Sequence, residues 1–315
     1  MPGSVEVTDR RAERLASGGG ITWRRWRGGV YVLPWLIGFI AFTLGPFVFS
    51  LYLSFTEWQL LGPIKFVGLA NYEKLLLDDP LFVKSLGNTT YYTAIHVPGL
   101  MVLAFLAALL LNQPIRGRAF FRTLFYVPSI TPGVASVLLW VWLLHPTGIV
   151  NTALAFLGVP ESALPNWFGS TTWAMPGLIL MSFWGIGSLM IIYLAGLQGI
   201  PEQLYEAAAI DGANAWQRLR HVTAPMMTPS IFFTLIVGVI GSFQSFTSAL
   251  IATEGGPANA TLFVLLHLYY QAFRYFHMGY ASAIAWALFV IIMLFTLVQF
   301  ALGRRWVYYE GEAKH

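Results

Sequence analysis

The chain has 315 residues, of which 57% are hydrophobic and only 10% charged, with no cysteine and a net charge of +4. Soluble domains carry about 25% charged residues, so the composition excludes a soluble enzyme and points to a polytopic membrane protein. The missing cysteines exclude disulfides, thiolate catalysis and Cys-ligated metal, and the placement of the positive charges argues for membrane topology rather than nucleic-acid binding.

Residues 1–29 are polar, with Gly18-Gly19-Gly20 in the middle and a basic collar, Arg24-Arg25-Trp26-Arg27, at the end. They read as a disordered cytoplasmic tail. The first apolar run, 30–55, exceeds the roughly 7–15 residue core of a signal peptide and is expected to be an uncleaved transmembrane helix. Together with a segment outside the membrane it fills 30–87. Five more runs reach the roughly 20 residues a span requires: 88–111, 123–144, 173–197, 229–253 and 279–302. The expectation is an all-α integral membrane protein of six transmembrane helices, with a five-helix core over 88–303 and a short cytoplasmic tail over 304–315. Pro34, Pro46, Pro98, Pro128, Pro132 and Pro176 lie in or beside the spans, where neighbouring helices can satisfy the carbonyls they free.

Fourteen of the 18 Lys and Arg residues fall on one side of this topology, and Lys65, Lys74, Lys84 and Arg274 on the other. The positive-inside rule then puts both termini and the interval 200–229 in the cytoplasm. No Lys, Arg, Asp or Glu falls inside a predicted span. Proton-coupled carriers and pumps keep such groups as relays, so a neutral solute met by hydroxyl and aromatic groups is expected.

The interval 200–229 is polar and built for helices. Pro201 followed by Glu202 is a helix start, and Gly212 is a stop that can take the left-handed cap conformation. Ala207-Ala208-Ala209 leaves a bare surface that another protein can approach closely. The chain contains no Gly-Lys dipeptide and hence no phosphate-binding P-loop. It has no metal-spaced histidines and no nucleophile elbow, so it is expected to bind no cofactor and not to be an enzyme. His96 and His145 read as packing or interface residues rather than metal ligands.

Glu206-Ala207-Ala208, Asp211-Gly212-Ala213, then Val222 and Pro225 fit the spacing E-A-A-x-x-x-G, nine residues, I-x-L-P, with Val222 and Ala224 as apolar departures. With 66–72 (Phe-Val-Gly-Leu-Ala-Asn-Tyr), Gly255-Gly256-Pro257 and Arg304-Arg305-Trp306, the chain resembles the permease subunits of binding-protein-dependent ABC importers. It is closest in pattern to the carbohydrate-uptake type of the maltose and glycerol-3-phosphate permeases. The resemblance implies the type I ABC importer permease fold in a bacterial or archaeal plasma membrane. It also implies a second permease subunit, favoured as a different chain, two ATPase subunits that use ATP and Mg, and an extracytoplasmic substrate-binding protein. Glu206, Ala207, Ala208, Asp211 and Gly212 would form the coupling helix and turn seated in the ATPase, and Pro225 would end the segment before the fifth span.

Candidates for the transport path lie on two helical stripes: Met181, Trp184, Gly185 and Ser188 in the fourth span, and Gly238, Gly241, Ser242 and Ser245 in the fifth, with Gln244 adjacent. The glycines and serines of the fifth span also fit small-xxx-small helix packing. A neutral sugar ranks first as substrate, with a polyol or glycerol 3-phosphate behind it. The alternative function is a self-sufficient carrier or channel for a small neutral solute.

Overall fold

A computed structural model describes residues 31–308; the basic tail expected over 1–29 and the last residues of the tail over 304–315 lie outside the described residues. Among the described residues, five helices are long and apolar enough to cross a membrane. They are α1 (Tyr31–Ser54), α3 (Pro80–Asn112), α7 (Ala174–Gln198), α9 (Ala215–Phe243) and α12 (Met278–Trp306). Between α1 and α3 lie a two-stranded antiparallel ribbon, β1 (Thr56–Glu57) with β2 (Lys65–Phe66), and the short helix α2 (Ala70–Glu73).

The third expected span is not one helix. α4 (Arg118–Ile130) and α5 (Gly133–Leu143) meet at 100°, and the short helix α6 (Ile149–Phe156) follows them. The break follows from Pro132, which has no N–H to continue the ladder and pushes the residue before it out of the helical region; Thr131 is extended, at ψ 134°. The fifth span also differs from its expected bounds of 229–253. α9 begins far earlier, at Ala215, and ends at Phe243, while 247–252 form a separate helix, α10 (Thr247–Ala252). Pro225 therefore does not end the cytoplasmic interval but lies inside α9. A wide π turn over Leu219–Thr223 precedes it, which gives room where a proline ring would strike the carbonyl one turn back. The same device stands before Pro46, at Ile40–Leu44 in α1.

α3 is the central staff. Near its C-terminal end Ala104, Ala107 and Ala108 are buried against Met190, Leu194 and Leu197 of α7, with Met227 of α9 closing the cluster. Small residues let two helices approach closely where no hydrophobic drive separates protein from lipid. The first half of α1 is mostly exposed. Its second half packs on α12, where Phe47 meets Trp286 at 4.8 Å and Ser50 accepts from Trp286 Nε1 at 3.2 Å.

At the opposite end of α3, the segment 254–278 folds inward. Helix α11 (Val264–Tyr269) is buried at Val264, Leu266 and His267. Asp79 joins this helix to two others. Its Oδ1 accepts from the Leu81 and Phe82 amides (2.9 and 3.0 Å), capping α3. Its Oδ2 accepts from His267 Nε2 (2.9 Å) and the Tyr280 hydroxyl (2.6 Å). Burial alone pushes the carboxyl pKa up, but the hydrogen bonds from Tyr280, His267 and the Phe82 amide outweigh it and hold the group below its usual value.

A lowered folded-state pKa stabilises the fold above the unfolded value, near 4, and that contribution is lost as pH falls through the folded value. Asp79→Ala is expected to destabilise the protein by about 2–3 kcal/mol, read as a lower thermal midpoint at pH 7. The gap between variant and wild type should close as the pH drops below about 4.

Candidate functional site

The interval 200–229 folds as a helix, a turn and a second helix. α8 (Glu202–Ile210) starts after Pro201, whose φ of −57° and ψ of 130° set the entry. It ends in a double backbone cap: the Gly212 amide donates to the Ala209 carbonyl (3.0 Å) and the Ala213 amide to Ala208 (2.9 Å), with Gly212 at φ +73°. Two residues later Asn214 starts α9 through a reciprocal cap. Asn214 Oδ1 accepts from the Gln217 amide (2.9 Å), and the Asn214 amide donates to Gln217 Oε1 (2.8 Å). The Tyr205 and Thr223 hydroxyls, 3.0 Å apart, tie α8 to the π turn of α9.

The outer surface of this elbow is open. Glu206 and Ala207 are exposed, Ala208 is half-buried, and Asp211 and Gly212 are exposed. Glu206 makes no side-chain hydrogen bond or ion pair among the described residues. Ile210 is 87% exposed and Trp216 67% exposed. Two large apolar side chains standing free beside an unpaired carboxylate form a surface suited to a protein partner. The sequence reading passed over Ile210 and Trp216, although an isoleucine and a tryptophan inside a polar interval were the signal.

The transport-path candidates separate into two groups. Gly185 and Ser188 of α7 and Gly238 of α9 line one cavity of about 200 Å³, together with His96 of α3 and Thr234 of α9. The others lie elsewhere. Met181 is buried in the core with Leu178, Phe263 and Leu266. Trp184 stands edge-on to Trp140, 5.8 Å away. Ser242 accepts a hydrogen bond from Thr93 Oγ1 at 2.9 Å, which fastens α9 to α3. Ser245 and Ser248 hydroxyls are 3.3 Å apart, and Gln244 lines a separate groove against α12.

α7 changes geometry at this cavity. A tight 3₁₀ turn over Phe183–Gly185 interrupts it, and Ser129 of α4 mends the break. The Ser129 hydroxyl donates to the Gly185 carbonyl (3.3 Å) and accepts from the Ser188 amide (3.1 Å). Gly187 makes the approach possible, because a Cβ there would run into the Phe125 carbonyl and lie 2.8 Å from Ser129 Oγ. His96 is held between two rings, stacked on Tyr92 at 4.9 Å and on Phe183 at 6.3 Å. Its Nδ1 lies 2.7 Å from Ser182 Oγ.

Long apolar helices around a small polar-edged cavity, with a helical elbow open at one end, are the arrangement of a multi-pass membrane protein. Residues 101–308 match the binding-protein-dependent transport system inner membrane component family, and the chain belongs to that family. It is 42% identical over 288 residues to the probable ABC transporter permease protein YesP of Bacillus subtilis, covering 90% of this chain and 93% of that one. It is 34% identical over 282 residues to the lactose transport system permease protein LacF of Rhizobium radiobacter, covering 88% and 94%. The crystal structure of a bacterial ABC transporter involved in alginate import shares the fold, with a TM-score of 0.78 at 23% identity over 90% of this chain and 96% of that one.

Two substitutions test the local geometry. Gly212→Ala has room for its methyl group but must hold φ +73°, so a cost of about 1–2 kcal/mol is expected, confined to the elbow and read as faster amide exchange over 202–214. Gly187→Val is expected to force α4 from α7 at a cost of about 1–3 kcal/mol, read as a lowered thermal midpoint of the whole protein.

Proposed function

We propose that this chain is one membrane half of an ATP-driven importer of neutral sugars in a bacterial or archaeal plasma membrane. The observation that carries the reading is the exposed elbow at 200–229, an E-A-A helix closed by a left-handed glycine and flanked by free Ile210 and Trp216. In this reading the elbow and both chain termini face the cytoplasm. α8 sits in a cleft of a separate ATPase subunit, Glu206 bonds a basic or polar group there, and Ile210 and Trp216 bury their apolar surface beside it. ATP and Mg are bound by two such subunits. Their closure moves the elbow and switches the bundle from inward- to outward-facing, while an extracytoplasmic binding protein delivers substrate to the opposite end.

Carbohydrate as cargo is supported by the relatives. LacF is named for lactose transport, and a permease 31% identical over 280 residues, AmyD of Thermoanaerobacterium thermosulfurigenes, for starch degradation products. The binding-protein partner is supported by the alginate transporter, whose structure includes a periplasmic protein bound to an alginate pentasaccharide. A neutral rather than phosphorylated sugar is favoured because no Lys or Arg lines the cavity of α3, α7 and α9. A heterodimer with a different permease is favoured by the family pattern.

Purification of the tagged chain from its native membrane should bring down an ATPase subunit in stoichiometric amount. Glu206→Lys should abolish ATP-dependent uptake of labelled sugar, and Trp216→Ala should weaken ATPase recovery about tenfold or more, as expected for an exposed aromatic anchor. Uptake without a co-purifying ATPase, or uptake unchanged by Glu206→Lys, refutes the reading.

A further inference from the structure

The cavity between α3, α7 and α9 contains one side chain whose hydrogen-bonding role is determined by its neighbour. Ser182 has a single hydroxyl proton, and it is donated to the Ile179 carbonyl at 2.6 Å. The 2.7 Å contact between Ser182 Oγ and His96 Nδ1 therefore needs the proton on His96, so Nδ1 is the donor. In the neutral imidazole the other nitrogen, Nε2, is then a bare acceptor. It has no hydrogen-bond partner among the described residues. No carboxylate lines the cavity to balance an imidazolium, and Tyr92 and Phe183 hold the ring by stacking. The stacked rings and the Ser182 contact thus hold the side chain in position.

We propose that His96 Nε2 is a substrate-binding group: it accepts a hydrogen bond from a hydroxyl of the transported sugar as that sugar passes the cavity. The inference rests on the carbohydrate reading above and adds its recognition chemistry. Each hydroxyl of a sugar is a donor, so a fixed lone pair facing a cavity matches one of them. A carboxylate or phosphate oxygen is an acceptor only and has nothing to give to Nε2. Ser188 and Thr234 supply further hydroxyls on the same wall, and Phe233 and Leu189 supply apolar surface for sugar C–H groups. The volume of about 200 Å³ corresponds to roughly six or seven waters at about 30 Å³ each. That is room for about one sugar ring. Ser182 acts through His96 as a positioning residue.

The test uses the complete transporter, with its partner permease, ATPases and binding protein, in lipid nanodiscs and proteoliposomes. With [15N]histidine labelling, and His96→Gln to assign the signal, the His96 spectrum at neutral pH should show a protonated Nδ1 and an unprotonated, pyridine-type Nε2. Ser182→Ala should release that preference. A protonated Nε2 in the wild type overturns the proposal.

In the second arm, ATP-dependent accumulation of labelled lactose, maltotriose and digalacturonate is compared. A neutral sugar should accumulate; accumulation of digalacturonate alone overturns the neutral-sugar reading. For variants that assemble in normal yield, His96→Ala should reduce uptake of that sugar about tenfold, the equivalent of one neutral hydrogen bond, and His96→Gln, which keeps an acceptor, should retain most of it. Accumulation that is indifferent to His96→Ala overturns this inference alone. Failure of all three sugars to accumulate overturns the carbohydrate reading and this inference with it.

Discussion

The bundle depends on how α4 mends the break in α7. In an apolar layer each unpaired backbone group costs several kcal/mol, so a helix can be interrupted there only when a neighbour satisfies what it leaves free. The Ser129 hydroxyl does this for α7, bridging the Gly185 carbonyl and the Ser188 amide across the 3₁₀ turn. The close packing that brings Ser129 within reach is set by Gly187 against the Phe125 carbonyl. One residue beyond Ile130, α4 itself breaks before Pro132. The irregular turn of α7 thus lies at the cavity where path candidates from α7 and α9 converge, and an irregular backbone at this depth is tolerated where it is buried in protein or lines a cavity.

The ends of the bundle are built differently. Asp79 collects four donors from α3, α11 and α12 into one carboxylate, and Lys74 lies 4.6 Å over the Tyr280 ring beside it. This pins the end remote from the elbow. At the elbow end the bonds are local caps, the Gly212 turn and the Asn214–Gln217 pair, which fix the shape of the segment while leaving its outer face unbonded. A rigid scaffold at one end and a shaped but open surface at the other is the arrangement expected when partners dock on the second.

Most of the architecture was legible in the sequence because hydrophobic run length is a strong signal: α1, α3, α7 and α12 lie where runs of apolar residues put them. The errors have a common cause. Run length reports where the chain is apolar, not where it is helical. α3 starts at Pro80 rather than 88 because Asp79 caps it, and α9 starts at Ala215 because Asn214 and Gln217 cap a polar stretch that hydropathy assigns to a loop. The kink at Thr131–Pro132 was within reach, since proline and its restricted predecessor were both visible. In the elbow, Gly212 was readable because a left-handed cap has few alternatives to glycine. The role proposed for His96 was not, because it depends on Ser182, which is 86 residues away in the sequence.

The continuity of α9 bears on how the two regions can communicate. From Ala215, beside the elbow, to Gly238, at the cavity, the chain is one helix, about 35 Å long at 1.5 Å per residue. Its π turn lies at the base, where the Thr223 and Tyr205 hydroxyls are 3.0 Å apart, and from there to Phe243 the helix is continuous. α7 is the opposite: its irregular turn, Phe183–Gly185, is at the cavity itself. Thr234 of α9 meets the Tyr193 hydroxyl of α7 at 2.7 Å, just beyond that turn on the elbow side. In the proposed coupling, a displacement of the elbow travels up α9 as a rigid shift, is passed to α7 at Tyr193, and is absorbed by bending at Phe183–Gly185. The residues that change their relation to one another are then Gly185 and Ser188 on one wall and Gly238 on the other. In that reading, the helix that carries the motion and the helix that yields to it meet at the cavity.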